Sequence, residues 1–150
     1  LMNNKNFYIY GDGNQKRAFT YIDDFNPYFV KIGFDDQVNG EIINLGPSEE
    51  YTLNALAQIV LEAFFPDGKI PDYLQPKYLP IRPQEVIEAY CTNDKSQRLL
   101  GYKTTTHLKE GVAKMIAWAK QKGPQKFKYL EDGLELESKD VPLTWKNHLI

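Results

Sequence analysis

The sequence of 150 residues predicts a mixed α/β fold built from short strands and about four helices. Short runs of apolar and aromatic residues bounded by glycine are typical of strands. Apolar residues that recur every three or four positions predict helices. Residues 69–86 contain four prolines, and proline disfavours a central strand, so this stretch is predicted to cross the domain as an extended edge segment or loop.

Composition limits the classes of function. A hydrophobic content of 42% and an aromatic content of 13% are typical of a folded domain with a core. The net charge of −2 gives no attraction to nucleic acid or to an anionic membrane, and no apolar run approaches the roughly 20 residues of a membrane span. The single cysteine, Cys91, excludes an internal disulfide and indicates the cytoplasm; we read it as a packed residue rather than a nucleophile. Two distant histidines and one cysteine form no zinc pattern.

Near the start of the chain, a predicted strand at residues 7–10 precedes a tight turn at residues 11–14. A second strand is predicted at residues 18–22. Arg17 lies between the turn and this strand, where its planar guanidinium could bind phosphate oxygens. The alternative interpretation is a surface hairpin with solvated charges.

The first helix is predicted to begin near Asp24, because Pro27 is comfortable only in the first turn, and Gly33 weakens its far end. Asp23 and Asp24 could be an acid/base pair, but adjacent carboxylates at a helix start are more often capping residues. Thr52 is predicted to cap a second helix, which residues 66–68 end.

The continuous apolar character of residues 41–46 predicts a strand buried on both faces. A short helix is predicted to open at residues 92–94 and to run through Leu100, with Gly101 as its C-terminal cap. Thr106 is predicted to cap a longer helix, which residues 123–124 end. Its predicted inward residues are Leu108, Val112, Met115, Ile116 and Ala119.

A longer pattern extends across most of the chain. Residues 9–24 read I-Y-G-D-G-N-Q-K-R-A-F-T-Y-I-D-D. This run resembles the segment I-Y-G-D-G-x-Q-x-R-D-F-T-Y-V-D-D of the extended short-chain dehydrogenase/reductases, the nucleotide-sugar epimerases and dehydratases, although Ala18 replaces the usual aspartate. Residues 82–86, 93–102 and 108–112 resemble further segments of that family, in the same order.

The resemblance implies the substrate-binding lobe of an extended Rossmann-type epimerase, lacking the nucleotide-binding sheet. Residues 1–124 would form a C-terminal substrate-binding domain, and residues 125–150 a tail or arm. The sequence begins just before this domain, as a C-terminal fragment would. The strand at residues 41–46 would join the edge of the missing sheet. In the tail, residues that could pack as an extended arm are Phe127, Tyr129, Leu134, Leu136 and Trp145.

The resemblance also implies a substrate site. Arg17 and Arg82 would hold a diphosphate, Glu85 would accept a hydrogen bond from the ribose, and the strand of Tyr8 and Tyr10 would lie along the base. The alternative is that the arginines are solvated, with one tyrosine in the core and the other at a rim. The implied ligand is a nucleotide-diphosphate sugar, with uridine diphosphate as its expected handle.

The family's catalytic pattern is missing from the chain. The chemistry needs a tyrosine and a lysine four residues apart, and Tyr28 and Lys31 have the wrong spacing. The turn of Gly11 and Gly13 lacks the third glycine and the helix of a dinucleotide fingerprint. We therefore expect no catalytic, cofactor-binding or metal residues in this chain.

The expected role is a substrate-binding portion of an NAD-dependent epimerase or dehydratase. NAD would bind to an absent N-terminal Rossmann domain, which is the expected partner, and a homodimer is a further possibility. The chain alone is then expected to be inactive. The alternative is a stand-alone, non-catalytic binding or interaction module with the same fold.

Overall fold

The computed structural model describes residues 1–125 and 141–149, and it confirms a mixed α/β fold with short strands and helices. The strands in this part of the chain are β1 (Tyr8–Tyr10), β2 (Lys16–Arg17), β3 (Tyr51–Thr52), β4 (Lys77–Leu79) and β5 (Glu88–Ala89). The helices are α1 (Ile22–Ile32), α2 (Leu53–Phe64), α3 (Asp94–Leu100), α4 (Leu108–Lys122) and α5 (Leu143–Lys146). Two short 3₁₀ turns cover Asp36–Val38 and Asp72–Leu74. Of the predicted arm residues, only Trp145 lies within the described part of the chain; Phe127, Tyr129, Leu134 and Leu136 lie outside it.

The strands form two small sheets. β1 pairs in parallel with β4, which lies in the proline-rich stretch. β2 lies between β3, to which it is antiparallel, and β5, to which it is parallel. Because β5 closely follows residues 82–86, this pairing places that stretch near β2.

The main hydrophobic cluster lies between α2 and α4. Ile59 of α2 packs with Val112 and Ile116 of α4. The Thr52 cap is confirmed, because its hydroxyl accepts a hydrogen bond from the Ala55 amide at 3.1 Å. The prediction for Met115 is wrong: it is 53% exposed. Successive helical residues are rotated by about 100°, which turns Met115 away from the face that Val112 and Ile116 define.

The boundaries between residues 16 and 27 differ from the prediction. Pairing in β2 ends at Arg17, because β3 and β5 are each two residues long, so the strand predicted at residues 18–22 is wrong. α1 begins at Ile22 rather than near Asp24, so Pro27 lies inside the helix. Proline has no amide hydrogen, and the helix therefore forgoes the bond that residue 27 would donate to the carbonyl of Asp23.

The strand predicted at residues 41–46 is also absent from the described structure. A strand is stabilised by the hydrogen bonds of a neighbouring strand, and none lies beside this segment in the part of the chain described. Ile42 is 86% exposed. Ile43 and Leu45 are half-buried, so the described structure covers only part of the segment's apolar surface.

Neither Asp24 nor Thr106 is the helix cap that the sequence predicts, because the two residues bind each other instead. Its carboxylate accepts hydrogen bonds from the backbone amides of Thr105 at 3.0 Å and Thr106 at 2.8 Å, and from both hydroxyls at 2.6 and 3.1 Å. It therefore does not cap its own helix, and Thr106 does not cap α4, whose N-cap residue is His107. The contact joins the start of α1 to the segment that leads into α4.

No helix in the described ranges is long and apolar enough to cross a membrane.

Candidate functional site

The predicted glycine turn is present and is closed by local hydrogen bonds. Gly11 and Gly13 have φ angles of 72° and 76°, a region that favours glycine. The Asp12 carboxylate accepts hydrogen bonds from the backbone amide and the side chain of Asn14, both at 2.9 Å. These bonds lower the pKa of Asp12. The turn therefore holds its shape by local contacts.

The start of α2 holds the turn in place. The Asn54 amide donates to the Gly13 carbonyl at 3.0 Å, and its side-chain nitrogen donates to the Asp12 carbonyl at 2.9 Å. Gln15 is buried and donates to the Tyr10 carbonyl at 2.7 Å. These contacts fix β1 and β2 relative to each other, and so fix the side chains that the two strands present.

The structure brings Arg17, Arg82 and Glu85 together. Nη2 of Arg17 lies 2.6 Å from Oε1 of Glu85. Nε and Nη2 of Arg82 each lie 2.6 Å from Oε2 of Glu85. The side chain of Glu85 is 3% exposed, whereas those of Arg17 and Arg82 are 24% and 45% exposed. Two cations thus share one buried carboxylate and keep part of their surface open to solvent.

The charge and the remaining donors of this arginine cluster suit an anion. Two guanidinium groups and one carboxylate leave a net charge of +1. Each guanidinium has five N–H donors, and the contacts to Glu85 and to the Lys16 carbonyl occupy only some of them. The remaining donors can bind oxygen atoms of phosphate groups.

Tyr10 connects the arginine cluster with the C-terminal segment. The guanidinium carbon of Arg82 lies 5.2 Å from the centre of the Tyr10 ring, within the range of a cation–π contact. The Tyr10 hydroxyl accepts a hydrogen bond from the Thr144 amide at 2.8 Å and donates to the Thr144 hydroxyl at 3.1 Å. Tyr8 and Tyr10 are both half-buried on one face of β1, and Ile9 on the other face is buried. Sequence analysis did not find Thr144, and a contact across 134 residues leaves no local signal.

Lys16 lies apart from the arginine cluster. Its ammonium group lies 3.1 Å from Glu50 and 3.4 Å from Glu88. Hydrogen bonding to Glu50, which has the larger effect, and to Glu88 raises the pKa of Lys16. Adjacent residues of β2 therefore have separate carboxylate partners.

The residues present do not fit NAD at the glycine turn. This turn leads into the short strand β2, whereas a dinucleotide site needs a helix whose N-terminus faces the phosphates. Within residues 1–125 and 141–149, no group of three or more histidine, cysteine or acidic residues could hold a metal ion. The turn therefore serves to position β1 and β2.

A cavity of about 600 Å³ lies elsewhere in the fold. Its lining includes Tyr102, Thr105 and His107, but none of the predicted site residues. Volume alone does not identify a diphosphate site, and the converging cations make the arginine cluster the better candidate.

No protein-family model matches the chain. It is 27% identical, over 113 residues, to a UDP-N-acetyl-alpha-D-glucosaminuronate decarboxylase of Bacillus cytotoxicus, covering 75% of this chain and 35% of that protein. It is 30% identical, over 115 residues, to a GDP-mannose 3,5-epimerase of Arabidopsis thaliana, covering 77% of this chain and 28% of that protein.

The fold also matches solved structures. One is a UDP-glucuronic acid 4-epimerase of Bacillus cereus, in complex with UDP-glucuronic acid and NAD. The TM-score is 0.69 at 30% identity, and the match covers 80% of this chain and 37% of that structure. The chain thus spans about a third of the length of the proteins it matches.

Proposed function

We propose that this chain, whose homologues and structural neighbours are NAD-dependent epimerases and dehydratases, is the nucleotide-sugar-binding portion of such an enzyme. That relationship confirms the family resemblance seen in the sequence. The proposal assigns the diphosphate to Arg17 and Arg82, and the base to the strand of Tyr8 and Tyr10. The expected ligand is a uridine diphosphate sugar.

The observation that carries the proposal is the convergence of Arg17 and Arg82. They lie far apart in sequence, yet both guanidinium groups meet at the carboxylate of Glu85 and remain partly exposed. A charge-assisted hydrogen bond contributes roughly 1.5–3 kcal/mol, so two arginines provide useful affinity for a diphosphate. The solved UDP-glucuronic acid 4-epimerase binds a ligand that contains this group.

The proposed intact enzyme isomerises or dehydrates its nucleotide sugar with NAD held by another part of the protein. The proposal places NAD and the chemical steps in that other part, because the glycine turn of this chain leads into a strand and not into the helix of a dinucleotide site. The 150-residue chain incubated with NAD and UDP-glucose is therefore expected to give no product. Turnover by the purified chain would contradict this division of roles.

Exposed apolar side chains support the proposed partner, a nucleotide-binding domain. The exposed fractions are 64% for Phe29, 89% for Phe34 and 86% for Ile42. Large apolar side chains so exposed are typical of interaction sites, and residues 42–45, which form no strand in the described structure, offer backbone groups to an additional sheet. Without that domain, we expect the isolated chain to dimerise as its concentration rises, which sedimentation velocity measures. If the chain is still monomeric at millimolar concentration, these exposed side chains do not drive association, and this support for the partner domain is lost.

Titration of the ¹⁵N-labelled chain with UDP, followed by amide chemical shifts, tests the binding proposal. Because the site is open to water, we expect a dissociation constant of about 1 mM, near −4 kcal/mol. Arg17→Ala and Arg82→Ala should each weaken binding about tenfold, the effect of roughly 1.4 kcal/mol. Rising salt should weaken it too, because exposed charges are screened.

Lys16→Ala is the matched control, since it removes a positive charge next to Arg17 in β2 without touching Glu85. It should weaken UDP binding less than either arginine substitution. Shifts that avoid residues 8–17 and 82–86, or that survive both arginine substitutions, would place the ligand elsewhere.

A further inference from the structure

Both carboxylate oxygens of Glu85 accept hydrogen bonds from arginines, and the side chain is buried. Oε1 accepts from Arg17 at 2.6 Å, and Oε2 accepts from Arg82 at 2.6 Å. Its side chain is 3% exposed, so the carboxylate lies behind the two guanidinium groups and not at the surface. A ribose hydroxyl would have to displace an arginine to reach it.

A turn in the backbone and the pairing of β2 with β5 bring Arg17, Arg82 and Glu85 close together. The Glu85 amide donates to the Arg82 carbonyl at 3.3 Å, which closes a tight turn and brings both side chains to one side. β5 begins at Glu88, shortly after this turn, and pairs with β2, which carries Arg17. Two separate segments are therefore aligned with Glu85 between them.

We infer that Glu85 is a positioning residue, which holds Arg17 and Arg82 together so that their outer donors face one diphosphate. This inference rests on the proposed diphosphate site and adds a role for its buried carboxylate. Two guanidinium groups that contact the same carboxylate are close enough to repel each other, and the carboxylate between them offsets that repulsion. Without Glu85, each arginine would move independently, and a diphosphate would have to order both when it binds.

The effect of Glu85→Gln on the binding of inorganic pyrophosphate distinguishes a positioning role from a purely electrostatic one. Pyrophosphate has no ribose, so a ribose contact cannot contribute to its binding. The substitution makes the cluster more positive, so electrostatic attraction alone would tighten pyrophosphate binding. A positioning role predicts the opposite sign, with pyrophosphate and UDP both weakened about fivefold to tenfold, because the arginines lose their shared anchor. Glu88→Gln is the matched control: it removes the same charge nearby, but its carboxylate contacts Lys16 and not an arginine.

Three results are decisive when wild type, Glu85→Gln and Glu88→Gln are compared for pyrophosphate, UDP and uridine. Weaker pyrophosphate binding in Glu85→Gln alone supports the inference. Unchanged pyrophosphate binding with weaker uridine binding would make Glu85 a ribose contact, and tighter pyrophosphate binding would make it only an opposing charge; either overturns the inference. If Glu85→Gln does not fold, as judged by its amide spectrum, Glu85→Asp replaces it, since it keeps the charge but shortens the reach to both arginines. Weaker pyrophosphate binding in Glu85→Asp would then support the inference, and unchanged or tighter binding would overturn it.

The wild-type measurement keeps the two proposals distinct. If the wild-type chain binds neither pyrophosphate nor UDP, the proposed function fails. If it binds both and loses them on Arg17→Ala, but Glu85→Gln leaves pyrophosphate unchanged, only the role of Glu85 fails.

Discussion

Asp24→Asn should destabilise the fold by removing the buried anchor of the segment that leads into α4. Asp24 is 8% exposed, and its Oδ2 accepts the backbone amides of Thr105 at 3.0 Å and Thr106 at 2.8 Å. Asparagine keeps the shape, but its NH₂ group either faces those two amides or faces the two threonine hydroxyls. At least two charge-assisted bonds are therefore lost or weakened.

The expected loss in the free energy of unfolding is about 3 kcal/mol, from two hydrogen bonds to a charged group at about 1.5 kcal/mol each. For a chain of this size, that loss corresponds to a fall of about 6–12 °C in the melting temperature. Urea denaturation and thermal melting at pH 7 measure it. Asp23→Asn is the matched control, because Asp23 is its exposed neighbour in α1.

The pH dependence gives a second test. Burial raises the pKa of Asp24, but hydrogen bonds from Thr105 and Thr106 outweigh it, so the pKa lies below its ordinary value of 3.8. A carboxylate with a depressed pKa stabilises the fold above 3.8 and loses that contribution as the pH falls through its folded-state pKa. The difference between wild type and Asp24→Asn should thus be largest near pH 7 and shrink below 3.8. A difference below about 0.5 kcal/mol at pH 7, a typical surface effect, would refute the reasoning.

Three further predictions test the contacts around the site. Tyr10→Phe removes both hydrogen bonds to Thr144, so amides of residues 143–147 should exchange with deuterium faster, and unchanged exchange would show that other contacts hold this turn. Gly13→Ala should destabilise the fold by about 1–3 kcal/mol more than Gly40→Ala in urea denaturation, because of these two glycines, both with positive φ, only at Gly13 would a Cβ clash with a neighbour, the Asn54 side chain. Equal losses would leave only backbone strain as the cause. Amides of residues 42–45 should exchange much faster than those of α2, because they form no strand here, and slow exchange would mean that the segment has found a partner.

Local chemistry accounts for the elements that sequence analysis predicted well. The positive φ of Gly11 and Gly13, the Thr52 cap and the left-handed Gly101 at the end of α3 each follow from one residue and its neighbours. The meeting of Arg17 with residues 82–85 followed from the family resemblance, since periodicity contains no information about two segments so far apart. The structure then added the contacts of Glu85, which the motif alone does not specify.

Three of the misses concern long-range partners. The segment at residues 41–46 has strand composition, but composition cannot supply the neighbouring strand. Asp24 is a residue type that often caps helices, yet its carboxylate accepts hydrogen bonds from Thr105 and Thr106, which lie 81 and 82 positions away along the chain. Tyr10 and Thr144 are separated by 134 residues. In each case the decisive group lies too far along the chain for spacing or propensity to reveal it.

A crystal structure of the chain grown with about 10 mM UDP, roughly ten times the expected dissociation constant, tests the central claim most directly. The proposal predicts the diphosphate within about 3 Å of outer N–H groups of both Arg17 and Arg82, with the base along β1. Diphosphate bound in the cavity lined by Tyr102, Thr105 and His107, or at any site that touches neither arginine, would contradict it.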